Sequence, residues 1–196
     1  TAKEGENVAS VVAIDAMGNE SAPVMRKWEL DTTAPVFTNS EIIDVLNHGS
    51  VTSYKDFSFK VEATDKNGVS YEWMLNGGKQ SESKNAFSGA VTEDGFYEVK
   101  VVAVDAVGNK SKELSISWTY DTKAPVEVAI TGTPSNGTKT NKAEVKLAAS
   151  ATDDVTAAEK ITYRWTFNGT ESDGSALNAT SKEGENTASV VAIDEA

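Results

Sequence analysis

The chain has 196 residues, no cysteine, and 30 acidic against 18 basic residues, for a formal net charge of −12. Without cysteine there is no disulfide framework and no thiolate metal site. The negative net charge, with Arg26 and Arg164 as the two arginines, argues against a phosphate-tracking surface, so nucleic acid is not an expected partner. No apolar run approaches the roughly 20 residues of a membrane helix, so no membrane insertion is expected within this stretch.

From the N-terminus, Val11-Val12-Ala13-Ile14-Asp15-Ala16-Met17-Gly18-Asn19 is followed 90 positions later by Val101-Val102-Ala103-Val104-Asp105-Ala106-Val107-Gly108-Asn109. It begins a third time as Val190-Val191-Ala192-Ile193-Asp194, and Asp31-Thr32-Thr33-Ala34-Pro35-Val36 recurs 90 on as Asp121-Thr122-Lys123-Ala124-Pro125-Val126. A period near 90 suits a small domain with its own core better than a solenoid unit that leans on its neighbours. The expected organisation is residues 1–31 as the last two strands (F and G) of one repeat, 32–121 as a complete repeat, and 122–196 as a repeat without its last strand. The chain then reads as a window on a longer protein. A lone hairpin is marginal in water, so 1–31 is expected to be completed by strands from another copy or from the parent chain.

Within the middle repeat, Phe57-Ser58-Phe59-Lys60-Val61-Glu62-Ala63 alternates apolar and polar, and Val145, Leu147, Ala149 and Ala151 repeat the pattern further on. Such alternation marks strands with one buried face. Tyr71, Trp73 and Leu75 form the next inward set, matched by Ile161, Tyr163, Trp165 and Phe167. Tyr97-Glu98-Val99-Lys100-Val101 leads into the repeated Val-Ala-x-Asp segment, and Leu114, Ile116, Trp118 and Tyr120 make the last strand. No stretch shows a capped helical period. Regular short strands and a Trp on the third strand predict an all-β fold of tandem immunoglobulin-like, Greek-key β-sandwiches. Trp28, Trp73, Trp118 and Trp165 are read as core. Tyr97, two residues before Val99, stands where such a fold makes a tyrosine corner, and Asn7 and Asn186 stand there in the flanking repeats. The flanking repeats also resemble each other: Thr1–Met17 and Thr180–Ala196 agree at thirteen of seventeen positions.

A strand of the form Val-x-Ala-x-Asp-x-x-Gly-Asn, a link reading Asp-Thr-x-Ala-Pro and a Tyr-x-Trp third strand together resemble the bacterial immunoglobulin-like repeats of giant surface adhesins and other secreted bacterial proteins. The resemblance implies an extracellular or cell-surface location and a stalk or spacer role. It implies as partners neighbouring repeats of the same or another copy of the chain, and a host or environmental surface reached through regions outside 1–196. Some members bind calcium between repeats. In a sandwich of this kind, Asp31 from the link, Asp65 and Asn67 from the B–C turn, Asp105 and Asn109 from the F–G turn, and Glu4 and Glu6 from the preceding E–F turn gather at one pole. Asp121, Asp153, Asp154, Asp194, Glu93 and Asp94 do so one repeat on. Calcium takes six to eight oxygens, mostly carboxylates and carbonyls of irregular segments. Asp31, Asp65, Asp105, Asp121, Asp153 and Asp194 are therefore the candidate metal ligands, and calcium the candidate cofactor. The competing reading makes each Asp an acceptor for backbone N–H groups in its own turn.

Enzyme chemistry has little support. His48 is the lone histidine, reads as a turn residue between strands A and B, and has no clustered partner. The acidic residues lie in repeated turns, and no Gly-rich phosphate loop is present. The sequence is read as a non-catalytic stalk. The alternatives are a ligand- or glycan-binding interaction module, or an accessory domain of a secreted polysaccharide-degrading enzyme. Five Asn-x-Ser/Thr sequons, at Asn19, Asn109, Asn136, Asn168 and Asn178, add little in a chain so rich in these residues.

Overall fold

The computed structural model describes residues 1–39, 42 and 46–196, and every regular element among them is a strand. An antiparallel hairpin of β1 (Gly5–Val11) and β2 (Val24–Leu30) comes first, with Asn7 opposite Trp28. There follow β3 (Val36–Phe37), β4 (Ser50–Thr52), β5 (Asp56–Lys60), β6 (Ala63–Thr64), β7 (Ser70–Leu75), β8 (Gly78–Lys79), β9 (Ala86–Ala90), β10 (Gly95–Val104) and β11 (Leu114–Tyr120). One sheet has the order β4-β11-β10-β7-β8, while β3 pairs with β6 and β5 with β9. Between β5 and β6 the backbone keeps bonding, Val61 N–H donating to Asn85 O and Thr38 N–H to Glu62 O.

Strand β4 runs parallel to β11, Ser50 opposite Trp118 and Thr52 opposite Tyr120. His48 lies in a turn, as the sequence suggests, but that turn leads into the extra strand β4 ahead of β5. Its Nδ1 accepts the N–H of Ser117 at 3.1 Å.

The last six strands are β12 (Val126–Thr133), β13 (Glu144–Thr152), β14 (Thr162–Phe167), β15 (Thr170–Asp173), β16 (Ala176–Thr180) and β17 (Ala188–Ile193), in sheets ordered β12-β13-β16 and β15-β14-β17. Strand β14 lies between β15 and β17 as β7 lies between β8 and β10. The two hairpins β7–β8 and β14–β15 turn on Asn76-Gly77 and Asn168-Gly169, all four residues at positive φ. Asn-Gly suits a two-residue turn of this hand, because its twist matches that of the flanking strands.

The chain divides into two compact units, one of residues 1–44, 58–87 and 99–116, the other of 45–57, 88–98 and 117–196. In the first, Phe59, Val61, Trp73, Val99, Val101 and Ala103 are fully buried. The indole of Trp73 lies 5.6 Å from the ring of Phe87, and its Nε1–H donates to Lys84 O at 2.8 Å. In the second, Trp165 is buried against Val145 and Leu177, and its Nε1–H reaches Gly174 O at 2.9 Å. Trp118 packs between Phe57 and Tyr97, each 5.5 Å away. Gly89 is required here, since a Cβ would come within 2.8 Å of the Phe57 ring.

Trp28 departs from its expected place in the core, being 42% exposed. The reason is topological: among the described residues β1 and β2 form a two-stranded sheet with no further strand in it, so the indole is covered less than it would be inside a sandwich.

The turn before β10 shows the corner. Tyr97 Oη–H donates to Glu93 O at 2.7 Å. In the flanking segments a different side chain reaches the same carbonyl four residues back: Asn7 Nδ2 donates to Lys3 O and Asn186 Nδ2 to Lys182 O. Each Asn Oδ1 also accepts the N–H of that Lys, at 2.9 and 3.0 Å. Asparagine thus replaces one hydrogen bond with three over the same turn, since its Nδ2 also donates to the carbonyl of Gly5 or Gly184. Tyr97→Phe keeps the stacking on Trp118 and loses the corner bond alone, so it should cost about 1 kcal/mol in chemical denaturation, the usual net worth of one hydrogen bond. Asn7→Ala should cost more than Tyr97→Phe, because it also leaves the Lys3 N–H without its partner.

Candidate metal centres

Each candidate aspartate lies just beyond the end of a strand. Asp31 follows β2, Asp65 follows β6 and Asp105 follows β10, all within the first unit; Asp121 follows β11, Asp153 follows β13 and Asp194 follows β17, all within the second. The fold brings the six together as two groups of three. Within each group, one carboxylate oxygen per residue lies within 4.8 Å of the others. Two oxygens on opposite sides of an ion at about 2.4 Å are about 4.8 Å apart, so this spacing suits calcium's oxygen distances.

Each of the six also fills the predicted turn role, its Oδ1 accepting a backbone N–H two residues on. Asp105 Oδ1 accepts the N–H groups of Val107, Gly108 and Asn109, and its Oδ2 accepts Asn109 Nδ2 at 2.8 Å. Burial pushes the Asp105 carboxyl upward, but the hydrogen bonds from Asn109, Val107 and Gly108 outweigh it and hold the pKa below the usual range. Asp15 in the hairpin makes the same turn, with Asn19 and Met17 donating. The Asp-x-x-x-Asn spacing is therefore explained by turn chemistry before any ion is invoked.

Asp121 behaves differently. It is fully buried, its Oδ1 accepts Lys123 N–H at 3.0 Å, and its Oδ2 has no hydrogen-bond partner. Burial raises its pKa, the Lys123 N–H opposes the rise, and repulsion from Asp153, Asp194 and Asp154 adds to it. Asp153 Oδ1 accepts Val155 and Thr156 N–H, while its Oδ2 is also buried without a partner.

The accessory acidic residues divide. Glu4 accepts Thr32 N–H at 3.1 Å and Thr32 Oγ1–H at 2.8 Å; Asp94 accepts Thr122 N–H at 3.0 Å and Thr122 Oγ1–H at 2.8 Å. Glu6 instead pairs with Lys27 on the hairpin surface. Asp154 holds Lys123 Nζ at 2.6 Å, and Asp94 lies 3.4 Å from the same ammonium. Sequence reasoning missed Thr32, Thr122 and Lys123. The signal was present, since each Thr follows its carboxylate by 28 positions in both copies.

Comparison with known proteins adds a family match to the middle of the chain. The family model of the PKD domain matches residues 45–118. The matched stretch includes Asp65 and Asp105 but neither Asp31 nor any of Asp121, Asp153 and Asp194. The match agrees with the resemblance to bacterial immunoglobulin-like domains. Similar solved structures include the fibronectin(III)-like modules of Clostridium thermocellum CbhA, 18% identical, covering 82% of this chain and 86% of that one, with a TM-score of 0.43. The PKD1 domain of Vibrio anguillarum Epp is 22% identical, with 47% and 100% covered and a TM-score of 0.34. Carbohydrate-binding modules of a β-sandwich superfamily are 15% identical, with 85% and 87% covered and a TM-score of 0.37. No curated protein matches the chain.

Proposed function

We propose that the chain is a run of immunoglobulin-like repeats, divided at 1–31, 32–121 and 122–196, in the extracellular stalk or spacer of a bacterial surface or filament protein. Its role is mechanical and not catalytic, and calcium stiffens the links. The observation that carries this reading is the repetition of one link design. At both Asp-Thr-x-Ala-Pro links, a carboxylate from 28 residues earlier binds the Thr N–H and hydroxyl, and the link Asp joins two further aspartates within 4.8 Å. A catalytic cleft has no need to be built twice, whereas a stalk needs the same joint at every repeat. Pro35 and Pro125 fix φ just past each link, and three carboxylates with neighbouring carbonyls and water can complete a calcium shell.

Small-angle scattering of the chain in calcium and in chelator tests this. The expected result is a longer and narrower particle in calcium. Superimposable curves, together with no binding heat at millimolar calcium, would leave the aspartates as turn residues.

The glycan-binding and accessory-domain alternatives draw on Tyr54 and Phe96, whose rings are exposed and could stack on sugars. Retention on insoluble polysaccharide, abolished by Tyr54→Ala, would favour them over the stalk.

A further inference from the structure

The two carboxylate clusters share a spacing but not a state of hydrogen bonding. In the first, Asp31 Oδ1 accepts Thr33 N–H at 3.0 Å and its Oδ2 accepts the side-chain amide of Asn67. Asn109 Nδ2 donates both to Asp31 O, at 3.1 Å, and to Asp105 Oδ2. Asp31 and Asp105 thus have both carboxylate oxygens engaged, and two amide NH2 groups stand between segments where a cation would otherwise bridge. In the second cluster Val155 occupies the place of Asn67, two residues after the B–C aspartate, and brings no amide. Asp121, with no exposed surface, keeps Oδ2 without a donor, and so does Asp153. A buried carboxylate oxygen without a partner is costly, and a bound cation is the natural complement.

We infer that the two clusters are different devices: Asp121, Asp153 and Asp194 bind a single divalent cation of calcium's size, whereas in the cluster of Asp31, Asp65 and Asp105 the amide of Asn67 already fills Asp31 Oδ2, the counterpart of the bare Asp121 Oδ2, and that cluster holds together without one. The inference rests on the calcium-stiffened reading above and narrows it to one link of the two. The first link is then rigid in any medium, and the second responds to the cation.

Calorimetric titration of the whole chain with calcium chloride tests the inference. One site per chain is expected. Asp121→Asn, nearly isosteric, should abolish it, with near-ultraviolet circular dichroism confirming that the variant keeps its packing; should that variant fail to fold, Asp153→Asn answers the same question. Asn67→Asp removes an amide donor and adds a carboxylate to the first cluster, so it should raise the stoichiometry from one to two, a gain that misfolding cannot imitate. Two equivalent sites in the unaltered chain, or one site that survives Asp121→Asn, would overturn the inference while leaving calcium at the links. An Asn67→Asp chain that still binds one ion would overturn the amide account of the first cluster. No heat at any calcium concentration up to tens of millimolar would overturn both the inference and the reading beneath it.

Discussion

Replacing Trp73 or Trp165 by alanine is expected to cost about 3–5 kcal/mol each, the range for deleting a large buried aromatic. Both indoles are wholly buried, and both spend their one donor on a backbone carbonyl, Lys84 O and Gly174 O. Truncation therefore opens a cavity and also leaves that carbonyl without its partner. The loss is a large fraction of the ~5–15 kcal/mol that stabilises a typical domain. Urea unfolding followed by far-ultraviolet circular dichroism should show an earlier transition in each variant. Trp28→Ala is the internal contrast. With 42% of its surface exposed, that indole gives up much less on truncation. If Trp28→Ala proved as costly as Trp73→Ala, the hairpin of β1 and β2 would have to be covered by strands from elsewhere, as the sequence reading expects of a lone hairpin.

Much of this architecture is legible because alternation is a local property. The inward set of Tyr71, Trp73 and Leu75, its counterpart around Trp165, and the Tyr97 corner follow from period-two patterning and one aromatic two residues before a buried valine. Strand β4 was less legible. Three residues pairing in parallel with β11 carry too short a pattern to read, and the pairing depends on a long-range choice between two sheets. The grouping of the six aspartates came from the expected topology, which places link, B–C turn and F–G turn at one pole. Their inequality did not, because it turns on whether position 67 or its counterpart, Val155, carries an amide, and on where that amide points. The equivalence of Asn7 and Asn186 with Tyr97 was hidden for a related reason: a short amide and a long phenol reach the same carbonyl by different routes, which residue type alone does not disclose.

In chelator at neutral pH, Asp121→Asn is expected to make the chain harder to unfold, and in calcium the order should reverse. Burial and the neighbouring carboxylates of Asp153, Asp194 and Asp154 raise the Asp121 pKa against the opposing Lys123 N–H. A carboxyl with a raised pKa in the fold binds its proton more readily there than in the unfolded chain. Its favourable contribution is complete in acid, below the unfolded value, and is lost as the pH rises through the folded one. At neutrality the charge opposes folding. Asparagine removes that charge, keeps an oxygen for the Lys123 N–H, and brings an N–H that the neighbouring carboxylates can accept. Calcium changes the sign by supplying the missing partner: at about ten times the dissociation constant, a site present only in the folded state gains RT ln 11, about 1.4 kcal/mol. With extracellular calcium modules binding at about 10⁻⁴–10⁻³ M, ~10 mM calcium reaches that regime. Urea midpoints of the two chains, each in chelator and in 10 mM calcium, give the measurement. Calcium should move the unaltered chain and leave Asp121→Asn where it was. A variant less stable than its parent in chelator would mean that the Lys123 hydrogen bond, and not relief of repulsion, decides what Asp121 does in the absence of an ion.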